Sequence, residues 1–327
     1  MKPKHVLALS FAWLLCMAGW LAFYHEPDGV TDRREVVIVP GTSNRDIARL
    51  LRARGILPTP ELFLLYLALS GQRTLQAGRY FFRGNESVKT LVDALTHGKT
   101  GMQRITFPEG LTSQQMADLL EQHEIANQGE YLALVADPAR FSRPWLAGVR
   151  TLEGFLFPDT YYFVPYSGAE TVINTQLDRF ESLFLEEYRT GNASLSLSET
   201  VILASIVEKE TKWSQERPLV ASVFLNRLDR NMRLQSCATV VFALKRERGI
   251  NRDTLTLADL NIESPFNTYR VTGLPPEPIA NPGLASLQAV LHPVPSDYLF
   301  FVLNNDGRHY FSRTYEEHLA NREAARP

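Results

Sequence analysis

One carboxyl stands out because of the helix that carries it. Ser196 and Glu199 have the S-x-x-E spacing of a capping box, and we expect the helix that they start to run to about Trp213. The segment VILASIV within it is almost wholly apolar, which is typical of a helix that is buried on all sides. Glu208 follows directly, whereas Glu210 lies about 200° further round the helix. Burial favours the protonated form of a carboxyl, so Glu208 is the candidate general acid. The alternative is a helix end whose acids merely face solvent.

The other residue types argue against several chemistries. The seven histidines show no HExxH or comparable ligand spacing, and Cys16 and Cys237 are not spaced for a zinc or redox motif. There is no G-x-S-x-G nucleophile motif and no glycine-rich dinucleotide loop. Lys and Arg number 34 and Asp and Glu number 36, so the net charge of −2 argues against a strongly basic nucleic-acid binder. We therefore expect a site without a metal or a cofactor.

Several stretches form an ordered set of motifs. In chain order they are LEGFLFPDTY from Leu152, ILASIVEKET from Ile202, ASVFLNRL from Ala221, MRLQS from Met232, SPFNTY from Ser264, GLPPEPIANPG from Gly273, DYLFFV from Asp297 and HYFSRTYEEH from His309. Together they resemble one family, the YceG-like (MltG) endolytic murein transglycosylases. A set of motifs in one order is far more specific than any one of them. The resemblance covers roughly residues 30–320.

The resemblance implies a single catalytic acid, the first glutamate of the motif ASIVEKE, which is Glu208. This acid would protonate the oxygen of the β-1,4 bond between MurNAc and GlcNAc. As a carboxylate it would then take the proton of the muramic 6-hydroxyl, which attacks its own anomeric carbon and leaves a 1,6-anhydroMurNAc end. An internal nucleophile has a high effective concentration, so no second carboxylate is needed to activate water.

Four further motif residues are candidates for substrate binding: Gln235, Asn267, Tyr269 and Glu153. Side-chain amides can bond sugar hydroxyls and acetamides, and a tyrosine ring can stack on a sugar face. For Gln235, Asn267 and Tyr269 the alternative is a hydrogen bond that locks a loop. Glu153 could line the cleft or could instead cap backbone amides.

The chain departs from the family pattern at three positions. Cys237 stands where the family usually has Asp, Phe266 where it has Tyr, and Glu277 where it has Gly. None of these changes removes the candidate acid. They leave the fine shape of the substrate groove open.

An internal repeat organises the first half of the chain. Residues 36–56 and 104–125 share the pattern of a strand, a Pro and Gly turn, and an amphipathic helix that begins at Thr or Ser. A helix near Pro60–Ser70 follows the first copy, and together they resemble a LysM glycan-binding module. The alternative is two small folding units that pack without binding glycan.

An uncharged segment near the N-terminus predicts a membrane anchor. Val6 to Tyr24 contains 19 residues without a charge and would span roughly 28 Å as a helix. Lys2 and Lys4 precede it, so the positive-inside rule leaves this end in the cytoplasm. A cleaved signal peptide is the alternative, although no Ala-x-Ala site follows. Acylation of Cys16 as a lipoprotein is set aside because Leu15, which is not a small residue, precedes it.

Together these features predict an α+β protein with three parts. Residues 1–30 would form a cytoplasmic stub and transmembrane helix, residues 35–102 a LysM-like module, and residues 103–327 an α+β lytic transglycosylase domain. We expect a single-pass inner-membrane protein whose catalytic region lies in the periplasm. It would cleave nascent peptidoglycan strands internally and so terminate their elongation, with peptidoglycan synthases as partners. A hydrolytic muramidase and a non-catalytic wall-binding scaffold remain alternatives.

Overall fold

The structure is a computed structural model that describes residue 23 and residues 34–71, 74–98, 102–252 and 254–325. Two compact units divide the chain. The first contains Met1–Ile105, His123–Ala126 and Tyr162–Gly168, and the second contains the remaining residues. Of the helices that the described residues form, none has the length and apolarity needed to cross a bilayer. The predicted anchor, Val6 to Tyr24, lies outside the described residues except for Phe23.

The first unit is built on an antiparallel strand pair. Its elements are β1 (Arg34–Ile38), α1 (Asn44–Ala53), α2 (Pro60–Ser70), β2 (Gly78–Phe82) and α3 (Val88–Thr96). In the β1–β2 pair, Arg34 lies opposite Phe82 and Ile38 opposite Gly78. Ser43 caps α1 by accepting a hydrogen bond from the backbone N–H of Asp46. The predicted strand–turn–helix order of the first repeat is confirmed.

The second unit is mainly helical. Strands β3 (Gln103–Thr106) and β4 (Thr160–Phe163) pair with each other, and each is divided between the two units, whereas β5 (Phe300–Leu303) and β6 (His309–Ser312) pair within the second unit. Its helices are α4 (Ser113–Gln122), α5 (Gln128–Val135), α6 (Ala169–Phe180), α7 (Glu186–Thr190), α8 (Leu197–Glu210), α9 (Arg217–Asp229), α10 (Cys237–Arg248), α11 (Leu284–Leu291) and α12 (Tyr315–Ala324). The predicted α+β class is confirmed, and β3 with α4 forms the second copy of the repeat.

Helix α8 is the centre of the second unit. Every residue from Thr200 to Val207 is buried, and α9, α10 and α11 pack against it. Both hydrogen bonds of the predicted capping box between Ser196 and Glu199 are present. The helix ends at Glu210 and not at the predicted Trp213, because Thr211 adopts an extended conformation. Since the apolar run is anchored on all sides, the residues at the end of α8 have fixed directions.

The hairpin of β5 and β6 covers a different part of the second unit. Phe300 lies opposite Ser312, and Leu303 lies opposite His309. Strand β5 begins at Phe300, and both Phe300 and Phe301 are half-buried. Their partly exposed rings face the cavity described below.

Candidate functional site

A cavity of about 620 Å³ in the second unit is lined by several polar residues that could take part in a reaction. The end of α8 contributes Glu210, α9 contributes Arg227, and two loops contribute Gln235 and Tyr269. The remaining wall mixes apolar, aromatic and polar side chains, and it is formed by Leu234, Cys237, Leu260, Phe300, Phe301, Val302, Leu303, His309, Tyr315, His318 and Arg322. Polar groups that converge on a cavity with aromatic walls could fix the orientation of a ligand.

Glu210, the last residue of α8, is the acid of this cavity. Burial is the main cause that raises the pKa of Glu210 above its ordinary value. Hydrogen bonds from the Ser236 hydroxyl and the Ala238 backbone, together with the charges of His309 and Arg227, oppose that rise without cancelling it. A carboxyl that keeps its proton to a higher pH than usual is suited to donate it as a general acid.

Arg227 fixes the wall next to Glu210. Its guanidinium donates to the backbone oxygens of Leu299 at 2.6 Å and Leu234 at 2.8 Å, and it lies 5.1 Å from the centre of the Phe300 ring. Burial lowers the pKa of Arg227, but arginine remains protonated in proteins. This cation therefore joins the β5 strand to the loop that carries Gln235.

Gln235 and Tyr269, two of the predicted substrate contacts, both line the cavity. Gln235 is exposed and adopts a φ of +54°, and its backbone N–H donates to the backbone oxygen of Thr268 at 3.1 Å. Its side-chain oxygen accepts from Arg227 at 3.3 Å. The hydroxyl of Tyr269 lies 3.1 Å from the sulfur of Cys237, and burial raises its pKa. Both side chains are thus held by the protein while they face open space.

Glu208 occupies a different environment from the one predicted. Its side chain is 6% exposed and does not line the cavity. One carboxylate oxygen accepts from Arg217 at 2.8 Å, and the other accepts from the Gly283 backbone at 3.0 Å and the Ser286 hydroxyl at 2.8 Å. The groups that contact Glu208 come from α9 and from the first turn of α11. Both oxygens are engaged in holding these helices to α8.

Asn267 and Glu153, also predicted as substrate contacts, are interior residues. Asn267 is fully buried, and its amide donates to the backbone oxygens of Leu260 at 2.9 Å and Ile262 at 2.8 Å. This is the loop-locking role that was the alternative for Asn267. Its contact with a sugar stays a prediction, and in the structure its amide nitrogen is engaged by its own loop.

Glu153 accepts hydrogen bonds from the backbone and hydroxyl of Ser113 and from the amide of Asn281 at 2.8 Å. Ser113 is the first residue of α4, so Glu153 caps backbone amides, which was one of its two predicted roles. Burial raises the pKa of Glu153 to about 7, against the opposing hydrogen bonds from Ser113. The side chain is 8% exposed and does not line the cavity, so its predicted contact with substrate is replaced by this interior role.

The comparisons with known proteins decide the family. A sequence model of the YceG-like family matches residues 36–324. The chain belongs to the YceG-like family. A Bacillus subtilis relative named endolytic murein transglycosylase is 32% identical over 298 residues, which cover 86% of this chain and 81% of the relative. A Streptococcus pneumoniae relative of the same name is 30% identical over 96% of this chain, which spans 63% of that longer protein.

A solved structure agrees with this assignment. A YceG-like protein from Listeria monocytogenes aligns with a TM-score of 0.59 and 31% identity, over 88% of this chain and 99% of that one. The resemblance to the YceG-like (MltG) family is therefore confirmed. The expectation that the chain is an enzyme, a lyase of the endolytic murein transglycosylase class, is confirmed by the same relatives.

Only one of the three departures from the family pattern lies in the cavity. Cys237 is exposed there, beside Tyr269. Phe266 is buried against Phe242 with ring centres 5.0 Å apart. Glu277 pairs with Arg246 at 2.8 Å. Cys237 is thus the departure that changes the surface offered to a ligand.

The prediction missed Glu210 and Arg227. Glu210 belongs to the same motif as Glu208, and the 200° between them was noted, but the choice of face requires knowing where α11 packs. Arg227 stands in the motif ASVFLNRL, next to the buried residues Val223 and Phe224. A charge on the buried face of a helix is the signal that could have found it, because buried arginine needs partners.

Proposed function

We propose that this chain cleaves peptidoglycan glycan strands internally as a lytic transglycosylase, with Glu210 as its single general acid and base. One observation carries the proposal. Glu210 is the only carboxyl among the described residues that line the cavity, and burial raises its pKa. A single acid fits a reaction in which the nucleophile comes from the substrate itself. Glu208, which the sequence predicts for this role, is the alternative acid, and it contacts Arg217 and the start of α11.

The reaction would use one carboxyl group twice, first as an acid and then as a base. Glu210 donates its proton to the oxygen between MurNAc and GlcNAc, and the β-1,4 bond breaks as the GlcNAc hydroxyl leaves. The carboxylate that remains accepts the proton of the muramic 6-hydroxyl, whose oxygen bonds to the anomeric carbon. The product ends in 1,6-anhydroMurNAc, no water is consumed, and Glu210 regains its proton.

The other cavity residues would position the strand. The side chain of Gln235 can bond a sugar hydroxyl or acetamide, and the Tyr269 hydroxyl can donate to one. Phe300 and Tyr315 supply aromatic surface for the apolar faces of the sugars. Arg227 places a positive charge in the wall near the carboxylate that forms during the reaction.

Membrane attachment completes the proposal. The uncharged segment Val6 to Tyr24 would anchor the chain in the inner membrane as a single pass, with the catalytic region in the periplasm. The region of residues 35–102 would act as a LysM-like module. Such an anchor confines the enzyme to nascent strands, whose growth it would terminate, and peptidoglycan synthases are the corresponding partners.

Product mass tests the chemistry. Purified full-length protein in detergent is incubated with uncrosslinked glycan, and the new ends are analysed by mass spectrometry. A lytic transglycosylase gives ends lighter by the mass of one water than the reducing ends of a muramidase. Anhydro ends that appear within glycan strands support the proposal. Reducing ends would assign a hydrolytic muramidase, and no new ends, with strands still bound, would assign a scaffold.

A further inference from the structure

Helix α2 of the first unit has a composition that does not suit its exposure. After Glu61 its sequence, LFLLYLALS, contains no charge, so the helix is apolar on every side. A helix of this kind is normally buried or in contact with lipid. Within α2 only Pro60, Phe63 and Leu67 are buried, whereas the side chain of Leu65 is 48% exposed and that of Leu69 is 71% exposed. Leu65 and Leu69 lie one turn apart and form an apolar ridge.

One flank of this ridge is linked to the segment predicted to enter the membrane. Phe23, one residue before the end of that segment, packs against the core of the first unit. Its ring centre lies 5.4 Å from that of Tyr66, which neighbours Leu65 in α2. Phe23, the one described residue of the predicted anchor, therefore contacts the helix that carries the exposed leucines.

The opposite flank of the ridge is basic. A groove of about 570 Å³ between α1 and the start of α2 is lined by Arg45, Arg49 and Arg52, with Glu61 and Leu64 on the α2 side. All three arginines are exposed. Arg49 pairs with Asp46 at 3.1 Å, and such an exposed pair is weak enough to yield to another anion.

We propose that α2 lies on the surface of an anionic phospholipid bilayer, with Leu65 and Leu69 inserted among the lipids and Arg45, Arg49 and Arg52 bound to their headgroups. Apolar side chains beside basic ones are the signature of a helix that lies in the membrane interface. Each arginine near an anionic surface adds attraction that salt screens. This inference rests on the proposed membrane anchor, because the anchor holds α2 at the bilayer. It adds a second contact that fixes the orientation of the first unit on the membrane.

Spin-label depth measurements on the full chain test the contact. Cys16 and Cys237 are the two cysteines of the chain, and both are replaced by Ser before a nitroxide is attached at Leu69→Cys. The matched control carries the label at Leu257→Cys in the second unit, where the native side chain is 84% exposed. The proteins are reconstituted into vesicles of phosphatidylcholine with about 30% phosphatidylglycerol, and into vesicles without the anionic lipid.

We expect the label at residue 69 to lie roughly 5–10 Å below the phosphates of the anionic vesicles, with the label at residue 257 in water. Replacing Arg45, Arg49 and Arg52 by Gln should return the residue 69 label to water. Replacing the exposed Arg230, Arg233 and Arg248 by Gln should not. A label at residue 69 that is as water-accessible as the control overturns the proposal.

Two further measurements distinguish the lipid contact from contact with a second copy of the chain and from the anchor alone. Dipolar broadening between labels at high lipid dilution would show that a second copy covers the ridge, and it would overturn the lipid assignment. Flotation of the unlabelled chain with vesicles tests the anchor separately. A chain that floats while its residue 69 label stays in water keeps the anchor and removes only the α2 contact.

Discussion

Glu208 and Glu210 lie two residues apart at the end of α8, but their carboxylates face different surroundings. Glu208 faces α9 and α11, where Arg217, Gly283 and Ser286 occupy both of its oxygens. Glu210 faces a cavity, beside Gln235 and Tyr269. The comparison teaches that burial alone does not identify a catalytic acid. Both carboxylates accept hydrogen bonds from the protein, but only Glu210 lines the cavity, where it can meet a substrate.

Removing Glu208 should have the largest effect on stability. Glu208→Ala leaves Arg217 with only its longer contact to Glu109, at 3.3 Å, so we expect a loss of about 3 kcal/mol in the free energy of unfolding. Chemical denaturation measures it. The matched control is the double variant Glu208→Leu with Arg217→Met, which removes both charges and should recover most of the loss. A single variant as stable as the wild type would show that the pair does not hold the helices together.

The buried Glu153 should make stability depend on pH. Its pKa rises from 4.5 to about 7 on folding, so the folded state binds the proton more tightly than the unfolded state. The contribution of Glu153 to stability is then fully present below about pH 4.5 and is lost as the pH rises to about 7, by up to about 3 kcal/mol. Gln resembles the protonated acid, so Glu153→Gln should lose this dependence. Parallel stability curves for the two proteins between those pH values would contradict the assignment.

Residues that line the cavity should affect turnover more than stability. Tyr269→Phe and Gln235→Ala each remove about one hydrogen bond to substrate, so we expect roughly tenfold slower glycan cleavage. Asn267→Ala serves as the contrast, because its buried amide locks the loop and its loss should lower the unfolding free energy by about 1–3 kcal/mol. If all three variants changed the free energy of unfolding equally, the assignment of Gln235 and Tyr269 to the cavity lining and of Asn267 to the interior would be contradicted.

The smallest effect should come from an exposed ion pair distant from both glutamates in the sequence. Arg140 and Glu170 pair at 3.3 Å, and each side chain is more than half exposed. Arg140→Gln should change the unfolding free energy by less than about 1 kcal/mol and leave cleavage unchanged. A larger change would mean that charge loss anywhere perturbs the second unit, which would weaken the interpretation of Glu208→Ala.

Local signals predicted the elements well, because they depend on neighbours in sequence. The capping box at Ser196 and Glu199 and the repeated strand–turn–helix are present as expected. The choice between Glu208 and Glu210 depends on α11, whose first turn lies more than 70 residues further along the chain. Neither helical periodicity nor the motif contains that information. For Asn267 and Glu153 the sequence left two roles open for the same reason, since an amide or carboxyl in a loop can face either inward or outward.

The most direct measurement compares two matched variants of α8 on one substrate. Glu210→Gln and Glu208→Gln are purified at full length, their folded fractions are measured, and single-turnover cleavage of uncrosslinked glycan is recorded per folded molecule. We predict that Glu210→Gln loses at least ~100-fold in rate with its stability retained, as expected for a lost general acid. Glu208→Gln should lose stability but stay within about tenfold of the wild-type rate per folded molecule. A folded Glu210→Gln protein that cleaves at the wild-type rate, beside an inactive folded Glu208→Gln protein, would contradict the account.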